Sequence, residues 1–140
     1  MRKLAFAGLI IAGGATLVGL SASGCSSPNK SGSCKAPAPT DCAQLYDPTY
    51  EQVFTRTLQP TCAAGGASCH GAGKGGFLID NIDDTYSRIS TRLVASKPEC
   101  SEVVDRTYST ETGYAMPPGA QLSEAERCSI VKWIAAGAKR

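Results

Sequence analysis

Seven cysteines in 140 residues constrain this chain more than any other feature, because what a thiol can do depends on the compartment that holds it. The opening residues bear on that. Met1-Arg2-Lys3 is a short basic start, Leu4 to Leu20 is apolar but broken by Gly8, Gly13, Gly14 and Gly19, and Ser21 to Gly24 are small. Basic, apolar, then small is the layout of an export signal, and the apolar run is short for a membrane span, which needs about 20 residues. Disulfides persist outside the cytoplasm, so the thiols are available for cross-links or for covalent haem. Export also removes Arg2 and Lys3 from 14 basic and 12 acidic residues, leaving twelve of each. With no net charge and no basic stripe, nucleic-acid binding is not expected.

Small residues running up to Cys25 resemble a bacterial lipoprotein cleavage site. The resemblance implies a signal peptide over 1–24, cleavage before Cys25, lipid on its thiol and anchorage in the cell envelope. Ser26 points to the outer membrane by analogy with other lipoproteins. The alternative is an ordinary cleaved signal that leaves Cys25 free. Ser26 to Thr40, SSPNKSGSCKAPAPT, has no apolar period and cannot bury enough surface to order itself. Residues 25–45 therefore read as a flexible linker and 46–140 as one small domain. A domain that size has a thin core and often relies on disulfides or a cofactor.

The domain reads as all-α. Asp47-Pro48 starts a helix in which Tyr50, Val53, Phe54, Thr57 and Leu58 share one face, and Pro60 ends it. Glycines make 62–76 a loop. Asp83 or Asp84 caps a second helix reaching about Val94, with Tyr86, Ile89, Leu93 and Val94 apolar, and Pro98 stops the chain there. Residues 99–115 admit a short helix or an extended piece at Val103-Val104. Ser123 and Glu126 form a capping box before a last helix that sets Ile130, Trp133, Ile134 and Gly137 on one face. Trp133 reads as core packing, with Phe54 as its partner on the first helix.

The chemistry centres on residues 61 to 70, TCAAGGASCH. Covalent haem sites read C-x-x-C-H; here six residues separate Cys62 from Cys69. His70 is the chain's one histidine, and Met116, in Tyr114-Ala115-Met116-Pro117-Pro118-Gly119, is the one methionine after signal cleavage. Haem iron is commonly held by a histidine and a methionine. The paired prolines stiffen the segment that carries Met116. No Cys/His set for zinc, no nucleophile with a base and no phosphate loop is present; Gly71 to Gly76 lacks the required spacing.

Cys69-His70, Gly75-Gly76-Phe77-Leu78, Met116-Pro117-Pro118, Leu122-Ser123-x-x-Glu126 and Trp133-Ile134-x-x-Gly137-Ala138 resemble small cytochrome c domains of exported bacterial proteins, over roughly residues 50 to 138. The resemblance implies an all-α, cytochrome c-like fold of three to four short helices, with crossing first and last helices and haem at the centre. It implies haem c as cofactor, Cys62 and Cys69 as thioether links, His70 as the proximal ligand and Met116 as the distal one. It further implies single-electron transfer to redox partner proteins, with no bond chemistry of the chain's own and membrane contact through the lipid. The C-x6-C-H spacing departs from the family pattern.

A straight helix would set residues seven apart about 10.5 Å from each other along its axis, too far for one haem edge or for a disulfide. The segment must therefore loop back, and Gly65-Gly66 permits it. Such a loop could bring both sulfurs to one haem or close a Cys62–Cys69 disulfide. The second outcome would make the chain a disulfide-stapled helical lipoprotein without cofactor, a binding or envelope-scaffold module. For the other cysteines the expected pairs are Cys34–Cys42, within the linker, and Cys100–Cys128; the alternative leaves Cys128 a buried free thiol.

Overall fold

The computed structural model describes residues 38–65 and 69–140. The signal peptide, lipidation at Cys25, sorting at Ser26 and the roles of Cys34 and Gly66 lie outside the described residues. Among the described residues the regular structure is helical, without strands. Its four α-helices are α1 (Tyr50–Val53), α2 (Ile82–Ser90), α3 (Glu102–Tyr108) and α4 (Glu124–Ala135). Single 3-10 turns lie at His70–Ala72, Lys74–Gly76 and Pro98–Cys100. No helix among the described residues is long and apolar enough to cross a membrane.

α1 starts two residues beyond Pro48, where the Thr49 hydroxyl accepts from the Gln52 N–H at 3.3 Å. It does not end at Pro60. The chain continues as a π-helical run, Phe54–Ala63, with Pro60 inside it. In an α-helix the proline ring would press on the carbonyl four residues back; the wider i→i+5 turn leaves it more room, and such turns are frequent at functional sites. The apolar stripe survives the change of pitch. Tyr50, Val53, Phe54, Thr57 and Leu58 are all buried, as the spacing predicts.

α2 is capped two or three residues earlier than expected, at Asn81, and ends earlier too. The Asn81 carboxamide oxygen accepts from the Asp83 and Asp84 N–H groups at 3.1 and 2.9 Å, so the two aspartates occupy the first turn instead of the cap, where their charge suits the helix dipole. The helix stops at Ser90 and Val94 lies exposed beyond it. α3 resolves the open stretch as a short helix with Val104 buried. α4 carries the expected capping box: Ser123 Oγ accepts from Glu126 N–H at 3.2 Å and Glu126 Oε2 accepts from Ser123 N–H at 2.9 Å. Gly137 leaves the helical face. At φ 95° it follows the C-cap, with Gly137 N–H on Ile134 O (2.9 Å) and Ala138 N–H on Trp133 O (3.0 Å). This is a Schellman ending, which favours glycine because φ is positive there.

Ile130, Trp133 and Ile134 face a core shared with α1. Trp133 is a packing residue, but its stacking partner is Tyr50, 5.3 Å between ring centroids, with Phe54 reached through Tyr50 at 6.1 Å. Tyr86 adds an edge contact to Tyr50 at 4.9 Å. The polar ends of these rings are satisfied: Trp133 Nε1 donates to Lys139 O (2.8 Å), Tyr50 OH to Ile82 O (2.8 Å) and Tyr86 OH to Ala138 O (3.0 Å). Burying aromatic rings with their polar tips bonded is what lets a thin core hold.

Both expected disulfide pairs are overturned. Cys42 is bonded to Cys128, 86 positions away, with Cα atoms 5.9 Å apart. Cys100 is also disulfide-bonded, to a cysteine other than Cys128. The reason lies in the segment before α1, whose composition reads as linker. Leu45 N–H bonds to Ala125 O (3.1 Å) and Ser129 Oγ (3.0 Å), and Ala38 and Tyr46 are buried. Residues 42–46 therefore lie against α4 and deliver Cys42 to the turn that holds Cys128.

Candidate functional site

Cys62, Cys69, His70 and Met116, spread over 54 positions of sequence, line one open pocket. Its cavity volume is about 150 Å³, and the pocket is open to solvent at its mouth. Leu58, Phe77, Ile79, Ile89 and Val103 make its apolar lining, and Lys74, Arg92, Arg106 and Glu102 add charge. Pro117 and Pro118 line it beside Met116.

Residues 63–65 and 69–71 lie close against one another, and the glycines there act by close approach. Gly65 has no Cβ because one would collide with Cys69 Sγ; Gly71 has none because one would collide with the Ala63 carbonyl. Gly65 is not at positive φ, contrary to the role expected from its freedom of turn. The π-helical run supplies Cys62 from its final turn, and the start of the 3-10 turn His70–Ala72 supplies Cys69 and His70. Both cysteines are half-buried free thiols. Burial pushes the Cys62 thiol up to about 11, with Cys69 and Glu126 acting in the same direction.

His70 is held at both backbone and ring. Its carbonyl accepts from Gly73 N–H and Ile79 N–H, each at 3.0 Å. The second 3-10 turn, with Gly75 and Gly76 at positive φ, brings Phe77 back over the imidazole. His70 Nδ1 lies 3.1 Å from Phe77 O, and the Phe77 ring meets the imidazole edge-on, 5.5 Å between centroids. A carbonyl can only accept, so Nδ1 carries the proton. In the neutral imidazole the lone pair is then on Nε2. A backbone carbonyl on the far nitrogen is the usual way a metal-binding histidine is oriented and made more basic.

Met116 is half-buried, on a strap between α3 and α4. The strap is tied to α3: Met116 N–H donates to Arg106 O at 2.9 Å, and the Tyr114 hydroxyl donates to Asp105 Oδ2. Burial and the Asp105 carboxylate push the Tyr114 phenol up to about 12, so it stays a donor. Among the described residues, no three histidine, cysteine or acidic side chains gather as a bare metal ion would require.

The residues thus fit a haem with covalent attachment. They offer two thiols, an imidazole with Nε2 free, a thioether and an apolar wall on one cavity. Sequence reasoning reached the four ligand candidates and missed their supports. Phe77 entered only through a family motif, although its carbonyl, which no side-chain rule marks, orients His70. Arg106 and Glu102 carried no signal, because an arginine and a glutamate four apart on a helix usually form a solvated pair. Comparison with protein-family models, curated proteins and solved structures finds no match for this chain.

Proposed function

We propose that this chain is a c-type cytochrome domain, exported and lipid-anchored at Cys25, that binds haem covalently and transfers single electrons between redox partner proteins. One observation carries the reading: Cys62, Cys69, His70 and Met116 converge on a single apolar pocket in which His70 Nδ1 is committed to Phe77 O. Cys62 and Cys69 would form the thioethers, His70 the proximal ligand and Met116 the distal one, within a cytochrome c-like arrangement of crossing first and last helices. Haem, when bound, supplies a one-electron iron couple. The chain supplies the rest. Phe77 O holds the imidazole in one tautomer and one orientation. Leu58, Ile79, Ile89 and Val103 exclude water from the interior of the pocket, which lowers the reorganisation that accompanies a change of charge. The thioether of Met116 favours the reduced state over a harder ligand.

The rival is a disulfide-stapled helical lipoprotein without cofactor, a binding or scaffold module, and the Cys42–Cys128 bond is what favours it. Mature protein made in a host that attaches haem c should be red, with haem retained on the chain after acid–acetone extraction and two thioethers on the 62–70 peptide by mass spectrometry. Colourless protein from that host would sink the haem reading. A single thioether on Cys69 would remove Cys62 from the attachment.

A further inference from the structure

α3 ends at Tyr108, so its last carbonyls have no partner within the helix. One of them, Arg106 O, receives the N–H of Met116 at 2.9 Å. The Arg106 side chain turns to the same strap. Its Nη1 donates to Tyr114 O at 3.3 Å, and the guanidinium carbon stands 4.6 Å from the Tyr114 ring centroid. Its Nε donates to Glu102 Oε1 at 2.8 Å, one helical turn back, which aims the fork. The neighbouring Asp105 accepts the Tyr114 hydroxyl. One turn of α3 therefore holds residues 114–116 through backbone and side chain, and Arg106 and Met116 line the same pocket.

We propose that Arg106 is a positioning residue for the Met116 thioether, mooring the strap so that the sulfur meets iron without the strap being ordered at that moment. The inference rests on the haem reading above. Lysine keeps the charge but lacks the planar fork that bonds Glu102 and Tyr114 together while lying on a ring. Arg106→Lys therefore separates positioning from charge, and Arg106→Met removes both.

The test compares haem-loaded wild type, R106K and R106M in two readouts, the methionine–iron charge-transfer absorption and the affinity of the ferric protein for added imidazole, which competes with the thioether. Both variants should bind imidazole roughly tenfold or more tightly than wild type, the scale of a lost charge-assisted hydrogen bond, and show weakened methionine absorption. Haem content and far-UV circular dichroism should be unchanged. Slow amide exchange at Met116 in the wild-type holoprotein is expected as well, and this readout needs no variant. R106K matching wild type while R106M differs would show a charge effect alone and overturn the proposal. Wild-type exchange at Met116 as fast as in a free peptide would overturn it too. Protein that never takes up haem refutes the haem reading and this inference with it; red protein whose R106K matches wild type refutes the inference alone.

Discussion

Replacing Cys42 by Ser together with Cys128 by Ala removes a cross-link between residues 86 positions apart. In the chain-entropy model a loop of that length restricts the unfolded ensemble by about 4.6 kcal/mol at 25 °C. Cys128 is fully buried, so the small void left by its sulfur adds up to about 1 kcal/mol in the same direction. The expected loss is thus about 4.5–5.5 kcal/mol, against a total stability of roughly 5–14 kcal/mol for a domain of this size. Urea unfolding followed by Trp133 fluorescence reads it directly. With a slope of about 1–1.5 kcal/mol/M for so small a domain, the midpoint should fall by roughly 3–5.5 M, which leaves the variant marginal or unfolded in buffer. The magnitude also separates the pairings. A Cys34–Cys42 bond, eight positions apart, would be worth only about 2.6 kcal/mol in the same model. A measured loss of about 3.6 kcal/mol or less, or a non-reduced peptide map joining Cys42 to any cysteine but Cys128, would refute the reasoning.

Three further outcomes are expected. Met116→Ala should retain covalent haem but lower the reduction potential, and an unchanged potential would remove Met116 from the iron. Gly71→Ala drives a methyl into the Ala63 carbonyl and should cost about 1–3 kcal/mol in urea unfolding, because the loop and the π-helical run cannot both keep their places; a neutral result would mean that the close approach is not real. Because Cys62 titrates near 11 and not at 9.0, folding favours its protonated form. That contribution to stability is fully present below pH 9 and is lost as pH rises through 11. In haem-free folded protein, Cys62 alkylation, followed by peptide mass spectrometry, should therefore rise about tenfold per pH unit to about pH 10. A plateau before pH 9.5 would contradict burial of the thiol.

Local rules reached the helical elements where the information is local. The stripe from Tyr50 to Leu58 and the Ser123–Glu126 box depend on neighbours three and four residues away, and both stand in the fold. Terminal details were less legible. Asn81 displaced Asp83 and Asp84 as the cap, since all three are good capping residues and only the incoming chain direction selects among them. Pro60 is a strong stop signal for an α-helix, yet the rule is silent on a wider turn.

By itself the sequence determined which atoms are available to the site: one histidine, the thioether of Met116 and two cysteines beside glycines. It also determined that the domain would be helical, because periodicity and caps are written residue by residue. Only the tertiary structure decided that these atoms share one pocket, that Phe77 O fixes the His70 tautomer, and that Cys42 joins Cys128. Each of those outcomes depends on which backbone comes to lie against which. A carbonyl or a chain crossing has no signature in residue type, and proximity in sequence is a poor guide to proximity of thiols once residues 42–46 lie against α4.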